Sequence, residues 1–95
     1  MATLSDDEIR TALDGLTGWE LVDGQITMEY RLGGFAGAIA FVVRLSYEAE
    51  GANHHPDLDI RYDKVRVSLS THSDGGVTAK DLNLAAAIEA VAPAH

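Results

Sequence analysis

The sequence lacks cysteine, long apolar runs and an excess of positive charge, and each absence excludes a class of protein. Without cysteine there is no disulfide framework, thiolate metal ligand or thiol nucleophile. The chain has 7 basic and 15 acidic side chains, and its net charge of −8 repels a phosphate backbone, so direct nucleic-acid binding is not expected. The longest apolar run, residues 35–43, is well short of the about 18 residues that a membrane span needs.

The beginning of the chain is acidic and has neither the basic nor the apolar region of a secretory signal. Together with the missing cysteine, this predicts a cytoplasmic protein. A chain of 95 residues suffices for one domain and not for two, so we expect residues 1–95 to form a single domain. Any active site must then lie close to a modest core.

The first part of the sequence predicts a helix followed by a hairpin. Ser5 and Glu8 have the spacing of a capping box, which opens a helix over residues 6–13. Apolar and polar residues then alternate on either side of Asp23-Gly24, a dipeptide typical of a tight type I′ turn. Two antiparallel strands are therefore expected here.

The second part repeats this order and ends with a third helix. A helical pattern covers residues 35–50, and alternation resumes on either side of Asp63-Lys64, which predicts a second hairpin. Thr78 and Asp81 have the spacing to cap the last helix. The predicted fold is α+β, a four-stranded antiparallel sheet with three helices packed on one face, in the order α-β-β-α-β-β-α.

The second helix is apolar on nearly all sides. Ile39 and Val43 belong to one side, and Phe41 and Leu45 belong to the other. A chain this small offers too few internal partners for such a helix, so we expect part of it to contact another subunit in a homodimer or homotetramer. We also expect Trp19 and Phe41 in the core and Tyr62 in a strand.

Three histidines flank the second hairpin. His54 and His55 precede its first strand and His72 follows its second, whereas His95 lies at the chain end, where we expect disorder. The outer ends of a hairpin meet, so the three imidazoles should converge at one end of the sheet. Imidazoles titrate near neutral pH and can supply both an acid and a base.

Two other interpretations of the histidines remain open. His-His before a proline can be a polar surface turn. Three imidazoles with Asp81 could also bind zinc or iron, although neighbouring residues in extended chain point to opposite faces. Asp81 itself can act as a helix cap or as a catalytic residue. No phosphate-binding glycine loop, nucleophilic serine motif or dinucleotide fingerprint is present.

These residues resemble the pattern of the pterin-4a-carbinolamine dehydratase family. The pattern is an acidic residue, three positions, His-His-Pro, an aromatic residue, a further histidine and an aspartate. The chain fills it in order with Glu50, His54, His55, Pro56, Tyr62, His72 and Asp81. Several separated elements match together, and the resemblance covers residues 19–92.

The resemblance implies a hydro-lyase that converts 4a-hydroxytetrahydrobiopterin to quinonoid dihydrobiopterin and water, as part of tetrahydrobiopterin recycling. It implies His54, His55 and His72 as the catalytic acid-base set, with Asp81 as the orienting residue. The substrate-binding residues that it implies are Glu50, Pro56, Ser70 and Thr71. The only ligand implied is a small pterin, with no metal and no organic cofactor.

The sequence departs from the family pattern at two positions. Asn53 stands where some relatives have an acidic residue, and Leu58 stands where a tryptophan commonly follows the His-Pro motif. The first change affects a neighbouring histidine, and the second removes an aromatic wall from the pterin site. The alternative function is a non-enzymatic binding, assembly or coactivator-like protein on the same fold.

Overall fold

Three helices and four strands follow one another in the predicted order in the computed structural model, which describes residues 2–94. The elements are α1 (Asp6–Leu13), β1 (Glu20–Val22), β2 (Gln25–Arg31), α2 (Phe35–Ala52), β3 (Asp57–Arg61), β4 (Lys64–Leu69) and α3 (Ala79–Val91), with a short 3₁₀ helix, His72–Asp74, before α3. The predicted α+β class is confirmed. His95, expected to be disordered, lies outside the described residues.

The four strands form one antiparallel sheet in the order β1-β2-β4-β3. Alternate residues of the two central strands, such as Tyr30 and Val67, point into a core that they share with helix residues such as Phe41 and Ile88. The expected core positions of Trp19 and Phe41 are confirmed. The opposite face of the sheet carries exposed charged side chains, so the helices cover only one face.

The two hairpins differ in how well their turns were predicted. Asp23 and Gly24 have φ values of 51° and 77°, as a type I′ turn requires. In the second hairpin, Arg61 pairs with Lys64, so the turn residues are Tyr62 and Asp63. The prediction of a turn at Asp63-Lys64 was one residue too late.

Tyr62 is consequently a turn residue, and its expected place in a strand was wrong. Its φ is 54° and 72% of its surface is exposed. The backbone nitrogen of Leu32 donates to the carbonyl oxygen of Asp63 at 2.8 Å, which ties this turn to the end of β2. That long-range contact has no signal in the local alternation of apolar residues.

The strand β3 has no buried face, although its sequence alternates as if it had one. It lies at the edge of the sheet, and all five of its residues are exposed. Leu58 and Ile60 each retain 37% exposure. The strand pairs only with β4 and contributes no residue to the core under the helices, so its apolar alternation did not produce full burial.

The helix α2 ends two residues later than expected and buries one of its faces. Its buried residues are Ala38, Phe41, Leu45 and Ala49. On the outward face, Val43 is 50% exposed and Tyr47 is 73% exposed. Within residues 2–94, no helix is both long and apolar enough to cross a membrane.

Candidate active site

His54 is held in place by the end of α2 on one side and by α3 on the other. The helix terminates at Asn53, whose left-handed backbone (φ 48°) turns the chain, and the backbone nitrogen of His54 then donates to Ala49 at 3.1 Å. Asparagine adopts this conformation more readily than most residues, which gives the departure at Asn53 a structural role. The imidazole lies with Nε2 2.5 Å from Oδ1 of Asp81.

Asp81 is fully buried and uses both carboxylate oxygens. Oδ1 contacts His54, whereas Oδ2 accepts the Thr71 hydroxyl at 2.9 Å and the Thr78 backbone nitrogen at 2.9 Å. The Thr78 hydroxyl lies 2.8 Å from that of Thr71, whose own proton goes to Asp81, so Thr78 is the donor of this pair. Each carboxylate oxygen therefore has a partner in a dry environment.

This arrangement fixes the orientation and the tautomer of His54. A carboxylate only accepts hydrogen bonds, so the ring nitrogen that faces Asp81 carries a proton. In the neutral ring, Nδ1 is then the acceptor. The His54 side chain is 12% exposed and lines a cavity of about 480 Å³ between α2 and α3, together with Glu48, Lys80 and Asn83.

His55 forms a second, more exposed pair. Its Nε2 lies 2.6 Å from Oε2 of Glu50, and the two side chains are 58% and 75% exposed. Glu50 precedes His55 by five residues, at the last turn of α2. His55 also lines an apolar groove of about 420 Å³ with Pro56 and Leu58. Glu50 and Pro56, both expected at the substrate, thus lie beside His55.

His72 begins the 3₁₀ helix after β4 and is exposed. It lines a cavity of about 320 Å³ with Gln25, Ser70 and the glycines at 24, 75 and 76. Ser70 is thus placed beside His72, whereas Thr71 is 3% exposed and supports Asp81 instead. Substrate binding by Ser70 and Thr71 stays a prediction.

The three histidines come from the two segments that flank the second hairpin, but each lines a different cavity. No hydrogen bond joins any two of the three rings in the part of the chain that is described. Their joint action on one substrate stays a prediction. Among residues 2–94, no group of three or more histidine, aspartate or glutamate side chains has the geometry to hold a metal ion.

Sequence reasoning missed two polar features. The support of Asp81 by Thr71 joins residues 10 positions apart, and only the Thr78 cap had a local signal. A second, partly buried cluster joins the Tyr30 hydroxyl and the Trp19 indole nitrogen to Glu89. Burial raises the pKa of Tyr30, and the neighbouring Glu89 raises it further.

Fold and site together define a small α+β protein with a carboxylate-held histidine. A family model described as pterin 4 alpha carbinolamine dehydratase matches residues 2–91. A protein of Roseiflexus castenholzii named "Putative pterin-4-alpha-carbinolamine dehydratase" is 50% identical over 90 residues, which cover 95% of this chain and 97% of that protein. One of the same name from Chloroflexus aurantiacus is 47% identical over 96% of this chain and 98% of its own. The chain belongs to the pterin 4 alpha carbinolamine dehydratase family.

Solved structures agree with this family. A crystal structure from Brucella melitensis, described as a transcriptional coactivator/pterin dehydratase, superposes with a TM-score of 0.90 at 35% identity, over 96% of this chain and 99% of that chain. A pterin dehydratase-like protein identified as a RuBisCO assembly factor in the alpha-carboxysome has a TM-score of 0.64 at 19% identity, over 81% of this chain and 89% of that one. The second likeness shows a shared fold alone.

Proposed function

We propose that the protein dehydrates 4a-hydroxytetrahydrobiopterin to quinonoid dihydrobiopterin, with His54, His55 and His72 as the acid-base groups. The single observation that carries this proposal is the contact between His54 and the buried Asp81. An imidazole held by a buried carboxylate is a means of fixing a ring for proton transfer. Family membership supplies the pterin as the substrate class.

The reaction requires two proton transfers and no change of oxidation state. A general acid protonates the hydroxyl group on C4a, the C4a–O bond breaks, and water leaves. A general base takes the proton from N5 as the C4a=N5 bond forms. Positioned acid and base groups each contribute roughly 10²- to 10⁴-fold. Histidines supply both groups near neutral pH, and we infer that neither a metal ion nor an organic cofactor takes part.

Within this proposal Asp81 is a positioning residue. It holds the His54 ring at 2.5 Å and is itself held by Thr71 and Thr78. Glu50 lies 2.6 Å from His55 and can orient that ring in the same way. We further infer that the protein acts in the cytoplasm as part of tetrahydrobiopterin recycling.

The proposal is tested by removing the histidines one at a time. Turnover of 4a-hydroxytetrahydrobiopterin is measured for wild type, His54→Ala and His72→Ala, with His95→Ala as a matched control outside the proposed set. We expect roughly a 10²-fold or greater loss of kcat in His54→Ala and a loss in His72→Ala, with none in the control. Oligomeric state and thermal unfolding are recorded for each variant to exclude misfolding.

Wild-type turnover in both His54→Ala and His72→Ala would contradict the acid-base mechanism. An inactive wild-type protein that retains its assembly would favour the alternative, a non-enzymatic binding, assembly or coactivator-like protein on this fold.

A further inference from the structure

The side chain of Gln25 contains an unpaired buried oxygen. Its Oε1 is shielded from solvent and has no hydrogen-bond partner, and no other side-chain nitrogen or oxygen of residues 2–94 is in this state. Buried polar atoms are nearly always paired, because leaving an acceptor unpaired destabilises the folded state. An unpaired acceptor that persists in a native fold therefore calls for a specific explanation.

The position of Gln25 provides an explanation for its unpaired oxygen. It is the first residue of β2, directly after the Asp23-Gly24 turn, and it lines the cavity of about 320 Å³ that also contains Ser70 and His72. That volume lies at the lower end of the range of roughly 300–1,000 Å³ typical of small-molecule sites. The unpaired amide and a proposed catalytic histidine thus border the same space.

We propose that the Gln25 carboxamide binds the lactam edge of the pterin ring, an inference that rests on the proposed function. This edge presents an N3–H donor beside an O4 acceptor, and a carboxamide offers the complementary acceptor and donor. Oε1 accepts from N3–H while Nε2 donates to O4. Because Oε1 makes no hydrogen bond within the protein, rotating the amide toward the cavity breaks none of its bonds.

The covalent structure of the pterin then places the reacting atoms. C4a is bonded to both C4 and N5, so docking O4 on Gln25 keeps the C4a–N5 bond close to the same cavity wall. His72 is the histidine of that wall. Gln25 is accordingly a substrate-positioning residue, and recognition of the lactam edge distinguishes pterins from ring systems that lack it.

The test is calorimetric titration with 7,8-dihydrobiopterin of wild type, Gln25→Met and Gln25→Leu. Glu29→Gln is the matched control, because Glu29 lies on the same face of β2 and does not line this cavity. We expect affinity to fall about tenfold in both Gln25 variants, the loss of one to two hydrogen bonds, and to stay unchanged in the control. The unfolding midpoint of the ligand-free Gln25 variants should not fall, because an unpaired acceptor has been removed.

A second ligand sharpens the test. 3-Methylpterin keeps O4 but carries a methyl group in place of the N3–H, so it offers Oε1 no donor in either orientation of the amide. Wild type should therefore discriminate against it, and the Gln25 variants should lose that discrimination. Equal affinity of wild type and both variants for dihydrobiopterin would overturn the inference alone. Absence of dihydrobiopterin binding to wild type would overturn it together with the proposed function.

Discussion

Asp81 performs two structural tasks with one carboxylate. From the sequence it could be a helix cap or a catalytic group, and the structure shows that Oδ2 caps α3 while Oδ1 contacts His54. The cap was predictable because it spans three residues. The contact with His54 spans 27 residues and depends on how α2 and α3 pack, so no local pattern could reveal it.

Replacing Asp81 by asparagine separates the capping of α3 from the contact with His54. The asparagine oxygen can still accept from Thr78, but its amide nitrogen would then face His54 and donate to Nε2. That contact moves the ring proton to Nδ1, and we expect kcat to fall roughly 10²- to 10⁴-fold in a protein that still folds. Turnover and thermal unfolding are measured beside Asp57→Asn, an exposed carboxylate change at the start of β3. Wild-type turnover in folded Asp81→Asn would contradict the positioning role.

Because of Tyr30, we expect the stability of the folded protein to decline at alkaline pH. Its hydroxyl is buried against Glu89, and its folded-state pKa is raised above the ordinary value of 10.0. Above that pH the unfolded chain releases the phenolic proton while the folded protein retains it. Stability from this group is therefore fully present below pH 10.0 and declines as pH rises, by up to about 1.4 kcal/mol per pH unit.

Tyr30→Phe should remove this contribution. The variant is expected to be less stable at neutral pH by about 1 kcal/mol, because a buried hydrogen bond is lost, but its stability should fall less steeply above pH 10.0. Denaturant unfolding at several pH values checks both effects. Parallel pH dependence in the two proteins would refute the assignment to Tyr30.

At the scale of whole elements, α1 and α3 both begin with a capping box, but the two capping boxes differ in the side chains that they contact. Ser5 and Glu8 form a capping box on α1 at the surface, and Thr78 and Asp81 form one on α3 in the interior. Only the second is linked to a histidine. The same local motif therefore stands at the surface in α1 and in the interior beside a histidine in α3.

Alanine substitution of the two caps measures that difference. Ser5→Ala and Thr78→Ala should each lower the free energy of unfolding by about 1–2 kcal/mol. Only Thr78→Ala should also lower kcat, because its hydroxyl holds Thr71 against Asp81. Urea unfolding and turnover are recorded for both proteins. A matched loss of kcat in the two variants would indicate a stability effect alone.

The elements themselves were largely predictable because their signals are local. The capping box placed α1 at residues 6–13, and Asp23-Gly24 placed the first turn. The second turn was displaced by one residue because Tyr62 adopts a positive φ, which is unfavourable for a bulky side chain and is set by the pairing of Arg61 with Lys64. The exposure of β3 was not predictable, because it depends on the strand order of the sheet.

At the scale of the whole molecule, the position of the three histidines around one hairpin was predictable from the sequence, but the cavity that each ring lines was not. The backbone ends of β3 and β4 lie together, since Asp57 pairs with Ser68. Where each ring points depends on Asn53, on α3 and on the 3₁₀ helix. Side-chain direction is therefore the part of the site that required three-dimensional information.

The expected homodimer or homotetramer also belongs to this scale. Phe35, Val43 and Tyr47 on α2 leave 54%, 50% and 73% of their surfaces exposed. Val43→Glu places a charge on this face and should shift the assembly toward smaller species, measured by sedimentation equilibrium. Thr11→Glu adds the same charge to an exposed position of α1 as the control. A monomeric wild type at all concentrations would contradict the expectation.

The most direct test of the proposed dehydratase activity is the decay of freshly generated 4a-hydroxytetrahydrobiopterin, followed by ultraviolet absorbance with and without the purified protein in the presence of a chelator. We expect catalytic amounts of protein to accelerate the decay and the acceleration to persist in chelator, because the proposed acid and base groups are histidines. Decay at the spontaneous rate would contradict the proposed dehydratase activity, and acceleration that chelator abolishes would contradict the metal-free mechanism.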